Sequence, residues 1–247
     1  MTIHLAHMSI NTDALGQYAA RLGMHDDDGC YALHHAMRML FGQAAPQPFR
    51  AELRGGSPHV IGYLDDPDAL LDNKNDNIPN ETPAVIHNIF LDAPRIKPMP
   101  VLWKKGATLN FRLRARTVVR YSKQERDRME ERTGWRPAGA EIDAFAAERL
   151  KNSCNPADLD EVCRRWLERR LKDVAHIERL SVLDYQRIRT RRSTHGRRGS
   201  SFIEGPDASL AGKLIVIDEN KFQDILGRGV GRHSAFGYGM LLLGKAS

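Results

Sequence analysis

Apolar residues fall at close spacing over 3–10, and this predicts an opening strand. DALGQYAARL at 13–22 reads as a short helix. A second helix is expected from about Asp28, a possible N-cap, to Phe41, where Gly42 ends it. PFRAELR (48–54) and HVIGYLD (59–65) read as strands joined by Gly55-Gly56-Ser57-Pro58, a hairpin. The polar run 72–83 is expected to be a loop and 84–91 a strand. Pro94, Pro98 and Pro100 then mark a boundary, which divides the chain into 1–98 and 99–247.

In the second part, strands are expected around 100–104 and 108–120 across a Lys104-Lys105-Gly106 turn. The polar segment 121–192 reads as mostly helical, broken near GWRPAGA and NSCNPAD, and 193–200 has loop composition. A strand at 212–217, a helix at 218–226, the run GRGVGRHSAFGYG and a strand at 240–243 complete the chain. This order predicts an α+β fold of two units.

Composition adds a direction to this outline. Residues 121–199 hold 19 Lys and Arg against 14 Asp and Glu, so nearly all of the net charge of +6 lies in one arginine-rich segment. Arginine's planar fork suits phosphate, which points to nucleic acid. No stretch approaches the roughly 20 apolar residues of a membrane-spanning helix, and MTIHLAHMSI is not laid out as a signal peptide. A cytoplasmic protein without membrane contact is expected. Cys30, Cys154 and Cys163 have unrelated spacings, so reduced thiols are expected rather than a disulfide framework or zinc site.

Three constellations could carry chemistry. On the helix at 28–41, Leu33, Met37, Leu40 and Phe41 share an apolar face, while Tyr31, His34, His35 and Arg38 share another. A phenol, two imidazoles and a guanidinium can move a proton and hold an anionic phosphate, although a merely solvated face has the same pattern. No HExxH or HxH spacing supports a metal, and no cofactor is expected. In TLNFRLRARTVVR, Arg112, Arg114 and Arg116 alternate with apolar residues about 6.6 Å apart. With no acidic residue on that face, they form a basic ribbon able to track phosphates. Solvated arginine stems covering apolar surface are the alternative. The Gly-rich run brings Arg228, Arg232, His233 and Ser234 to a loop that a phosphate could approach closely. GRGVG is not GxGxxG, and GMLLLGKA has Ala246 where a Walker A loop needs Ser or Thr, so nucleotide hydrolysis is not expected.

Taken in order, YALHHAMRMLFG, KKGATLNFRLRAR and GVGRHSAFGYGMLLL resemble the motifs of the CRISPR repeat-processing endoribonucleases. The likeness is to the type I-E (CasE-like) branch or its type IV counterpart, over roughly 1–65, 99–120 and 210–247. It implies two ferredoxin-like (RAMP-type) domains, and the helical arginine-rich segment at about 121–199 then reads as an insertion in the second. It also implies a metal-independent cut in CRISPR repeat stem-loops, with His34 as acid or base, Tyr31 on the 2′-OH and Arg38 on the phosphate. RNA would lie along Lys104, Lys105, Arg112, Arg114, Arg116, Arg228, Arg232, His233 and Ser234. Arg189, Arg191, Arg192, Arg197 and Arg198 would grip phosphates from a helical finger. Other subunits of an effector complex are the expected partners. Ser234 stands where many members have a lysine, and most of the insertion has no counterpart in the branch. A non-catalytic subunit holding the guide RNA, or a basic scaffold for acidic partners, are the competing readings.

Overall fold

The structure, a computed structural model, describes residues 2–24, 27–75, 84–134, 141–151, 158–192 and 201–245. The first half runs β1 (His4–Ser9), α1 (Thr12–Arg21), α2 (Cys30–Phe41), β2 (Phe49–Arg54), β3 (Ser57–Leu64), α3 (Pro67–Asn75), α4 (Ala84–His87) and β4 (Arg95–Pro98). Its four strands are antiparallel in the order β2-β3-β1-β4. That is the ferredoxin-like arrangement, with helical crossovers between the first and second and between the third and fourth strands.

The second half repeats the plan with a longer first crossover. It runs β5 (Thr108–Ala115), β6 (Val118–Arg120), α5 (Lys123–Thr133), β7 (Glu141–Asp143), α6 (Ala144–Lys151), α7 (Leu159–Arg170), β8 (Ala175–Arg192), β9 (Ser201–Val216), α8 (Glu219–Arg228) and β10 (Leu241–Lys245). The order β10-β5-β9-β8 is again ferredoxin-like, and β6 pairs with β7 in a small sheet of its own. No helix among the described residues is long and apolar enough to cross a membrane.

Apolar stripes set the packing. Leu33, Met37, Leu40 and Phe41 of α2 are all buried against the first sheet, with Met8, Phe49 and Val60 in the same cluster. A second core gathers Trp166 and Leu167 of α7, Phe222 of α8 and Leu113 of β5, and takes in Ile61 and Tyr63 of β3 and Ile3, just before β1, from the first half. The two halves therefore share buried apolar surface, which drives their association. The Tyr63 hydroxyl fixes the contact by donating to the Leu241 carbonyl at 2.7 Å.

Four expectations are corrected. Residues 84–91 are not a strand; α4 lies there, and pairing is limited to one bridge between Ile10 and Phe90. The polar run at 72–83 begins inside helix α3, before which the Asp66 carboxylate accepts from the Ala69 amide, and 76–83 lie outside the described residues. Residues 100–104 form no strand, and the proline-marked stretch contains β4, paired with β1. The segment 121–192 is helical only to Arg170; 175–192 is an 18-residue strand. Its pattern misleads because register shifts at Ile177/Arg179 and Val182/Asp184 break the two-residue alternation. Buried Ile177 and Leu180 consequently stand three apart, a helical spacing.

Because β5 pairs with β9 only along 208–215, the far part of β8–β9 continues past the sheet as a two-stranded arm. The arm leans on the start of α2. The Arg189 amide donates to Asp27 Oδ2 at 2.7 Å, and the Asp27 amide donates back to the Arg189 carbonyl.

Candidate functional site

Helix α2 begins one residue later than expected. Gly29 is the N-cap in a left-handed conformation, and Asp28 supports the turn by accepting from the Cys30 amide at 3.1 Å. The buried stripe of α2 fixes its rotation, so Tyr31, His34, His35 and Arg38 lie together on the half-buried face.

The His34 imidazole lies nearly parallel to the Phe49 ring, 5° apart with centroids 6.3 Å distant, and 6.4 Å from Phe236 on another side. Tyr31 stacks on Phe236 at 5.6 Å. Burial first, then the nearby Arg38 and His35, pushes the His34 pKa down to about 4, so the ring is neutral near pH 7. His35 is engaged elsewhere. Its Nδ1 is 2.6 Å from the Tyr18 hydroxyl of α1, which ties it into a helix–helix contact. Tyr31, His34 and Arg38 thus form one patch, and His35 lies beside it with its Nδ1 engaged by Tyr18.

The Gly-rich loop after α8 forms the wall opposite. Gly237, at φ 79°, lies against α2 so closely that an added Cβ would stand 3.0 Å from Cys30 Sγ. Ser234 Oγ accepts from Gln47 Nε2 at 2.9 Å, which ties the loop to the chain entering β2. Arg232 and His233 turn toward β7 instead. Arg232 Nε is 2.6 Å from Glu141 Oε1, and His233 Nε2 is 3.1 Å from Glu141 Oε2. Burial pushes the His233 pKa down, against the opposing pull of Glu141. Arg228 lies at the end of α8 and is not part of this wall.

The arginine strand is not one ribbon, and the expectation that its face lacks acidic partners is corrected. Arg112 is exposed, but Arg114 is held between two carboxylates. Its Nε and Nη2 donate to Asp207 at 2.9 and 2.7 Å, Nη2 also to Asp28 at 2.7 Å, and Nη1 to Cys30 Sγ at 3.2 Å. The guanidinium lies 4.7 Å above the Tyr238 ring. Arg116 is only 2% exposed. Arg114 is therefore a strut joining β5 and β9 to the start of α2, and it positions Tyr31 by holding that start in place. Asp28 and Asp207 are remote from it in sequence, and for that reason went unseen.

Lys104 and Lys105 are exposed but sit before β5, at the end of that strand opposite Arg114, where the Lys105 amide donates to Glu219. They do not converge on His34. In the arm, Arg187 pairs with Asp143 and Glu204, Arg189 is exposed, and Arg191 and Arg192 pair across the hairpin with Phe202 and Ser201 in backbone register. The helical finger is thus a β-hairpin; Arg197 and Arg198 lie outside the described residues.

Sequence reasoning missed Phe49, Phe236 and Glu141. The phenylalanine before Gly237 in SAFGYG was a usable signal, since a large ring in a Gly-rich loop needs a surface to cover.

The family described as CRISPR associated protein matches residues 3–245. The chain belongs to this family. No curated protein sequence matches it. Among solved structures, the CRISPR endoribonuclease Cse3 bound to a 19-nucleotide RNA is similar with a TM-score of 0.61 and 20% identity, over 99% of this chain and all of that one. Cas6e from Escherichia coli K-12 follows with 0.55 and 17%, over the whole of both chains. A chain of a CRISPR RNA-guided surveillance complex, in a pre-nicking state, gives 0.55 and 15% over 98% of this chain and all of that one. At these identities the likeness establishes the fold, and the paired ferredoxin-like architecture of this CRISPR-associated protein agrees with it.

Proposed function

We propose that this CRISPR-associated protein is an endoribonuclease that binds and cuts repeat stem-loops in precursor guide RNA without a metal ion. One observation carries the reading: a neutral imidazole, His34, is held between two aromatic rings with Tyr31 one turn before it and Arg38 one turn after. A neutral imidazole accepts protons, so His34 takes the proton of the ribose 2′-OH. The 2′-oxygen then attacks the adjacent phosphorus, the bond to the 5′-oxygen breaks, and solvent protonates the leaving oxygen. The products are a 2′,3′-cyclic phosphate and a 5′-OH. Tyr31 orients the 2′-oxygen and Arg38 stabilises the added negative charge on phosphorus. RNA is required because its 2′-OH is the nucleophile.

Arg112, Arg189 and the basic residues of the β8–β9 arm supply phosphate contacts, while Arg114 and Arg116 hold the fold. Similarity to chains of surveillance complexes supports retention of the product as a guide-holding subunit, and a cytoplasmic location goes with this reading. On this reading the chain divides into units at 1–98 and 99–247.

Incubating the protein with repeat RNA in EDTA should give cleavage, and a single 2′-deoxy substitution at the cut should block it while affinity stays within a few-fold. Activity that returns only with added Mg²⁺ would refute this chemistry. Tight binding with no cleavage under any condition would leave the guide-holding role alone.

A further inference from the structure

The crossover from β5 to β8 contains a groove that the catalytic reading does not use. It lies between β6, α6 and α7, with a volume of about 460 Å³. Five cations line it: Arg120, Lys151, Arg165, Arg169 and Arg170. Two carboxylates, Glu125 and Glu148, share the wall. Glu125 closes the capping box of α5 with Ser122. Glu148 pairs at 3.4 Å with Arg165 of the same wall, which Glu161 also holds at 3.7 Å, so Arg165 is not left for a ligand. Arg120 and Arg169 are exposed, and among the described residues neither has a carboxylate partner; Arg169 donates only to the Arg165 carbonyl.

Two further features narrow the ligand. Tyr121 stands on the rim shared by this groove and a second depression of about 280 Å³ that includes Arg128 and Arg132. The ring is half-buried against Met129, Ile142 and Ala147, with Lys151 Nζ 5.9 Å from its centre. An aromatic surface between two sets of cations still matches a strand of phosphates with unstacked bases, because phosphates track the charges and a base meets the ring. The groove has the size of a small-molecule site, so it takes single-stranded nucleotides and not a duplex. One wall of the groove, α7, is joined to the His34 site through the Gly-rich loop. Arg170, which caps the Trp166 ring at 5.5 Å, is close enough to Arg232 to be repelled by it. A Cβ on Gly231 would stand 3.1 Å from Trp166, so the Gly-rich loop touches α7 there. The same loop presents Phe236 to Tyr31 and His34.

We infer that this groove is a second RNA site, which takes the single-stranded segment flanking the stem-loop with its phosphates on Arg120 and Arg169 and a base on Tyr121. This rests on the endoribonuclease reading for the source of the strand, but the groove's preference for single-stranded RNA stands apart from cleavage. The test uses the full chain and the double variant R120A/R169A, both of whose side chains are exposed, with thermal melting to confirm unchanged folding. Three probes are titrated by fluorescence anisotropy: a bare repeat stem-loop, the same stem-loop with single-stranded extensions, and a ten-nucleotide oligouridine.

Wild type should bind the extended RNA about tenfold more tightly than the bare stem-loop, and the double variant should lose that gain. The salt slope for oligouridine should flatten by roughly 0.7 per phosphate contact removed. Cleavage of the bare stem-loop should be the same in both proteins. Oligouridine binding that disappears in the double variant, even where no stem-loop is bound or cut, keeps the second site and refutes the endoribonuclease reading. Equal affinity of wild type and variant for all three probes overturns the inference, and a protein partner would then be the occupant to seek.

Discussion

The two halves share one strand order, yet their equivalent crossover helices carry different cargo. In the first half, α2 buries an apolar stripe and leaves Tyr31, His34 and Arg38 on its other face, roofed by Phe236. In the second half, α7 buries Val162, Trp166 and Leu167 in a similar way, but its remaining face is arginine and glutamate. The Trp166 indole donates to the Val118 carbonyl at 3.0 Å, and its ring supports the Gly-rich loop. The frame fixes where a helix can present a side chain; the residues on the presented face decide whether chemistry or support results. The halves depend on each other, because the second half supplies the loop that closes the site of the first.

The largest expected effect separates these two helices. His34→Ala should reduce the cleavage rate by about 10²–10⁴, the usual contribution of a general acid or base. Affinity for the stem-loop should stay within a few-fold. Arg165→Ala on α7 should leave single-turnover cleavage within a few-fold of wild type. Equal losses in both variants would show that α2 holds no special chemistry.

The next effect is on stability and contrasts two arginines of one strand. Arg114 is 14% exposed and satisfies Asp28 and Asp207, so Arg114→Met leaves two carboxylates without their cation. Removing one partner of such a buried pair costs about 3–5 kcal/mol. Arg112 is exposed, and Arg112→Met should stay within about 0.5 kcal/mol. Urea unfolding of both variants decides the matter, and equal midpoints would remove the strut.

Alternation made the three arginines visible in the sequence but could not tell them apart. Arg112, Arg114 and Arg116 have the same local pattern, and what separates them is Asp28 and Asp207, one in the turn before α2 and one on β9. The α2 face was legible for a simple reason: helical periodicity is local, and Leu33, Met37, Leu40 and Phe41 fix the rotation by themselves. Strand β8 was hidden because its bulges shift the phase of its buried residues, and a shifted alternation imitates a helix. Phe49 and Phe236 reach His34 from outside α2, one on β2 and one near the end of the chain, so only tertiary structure brings them into the site.

The smallest effect is an absence of change with pH, and it tests the environment of His34 directly. The ratio kcat/KM follows the titration of the free enzyme. An ordinary imidazole near 6.5 would be about one-quarter deprotonated at pH 6, and a base of that kind would lose about fourfold in rate between pH 8 and pH 6. Burial, Arg38 and His35 lower the His34 pKa to about 4, so its base form persists at every pH above that value. As a base, His34 should give kcat/KM constant within about twofold from pH 6 to pH 8, with loss only as the pH falls toward 4. As an acid, it would give a tenfold fall for each unit of rising pH over the same range, because only the scarce protonated form would react. Replacing Phe49 with Ser opens one wall of the pocket to water, which raises the pKa toward its ordinary value and brings the acid limb up into the measured range. A profile that rises across pH 6–7 in wild type, unchanged in Phe49→Ser, would assign the limb to a group other than His34; His233 of the second half, whose ring lies 5.9 Å from Phe236, would be the next to replace.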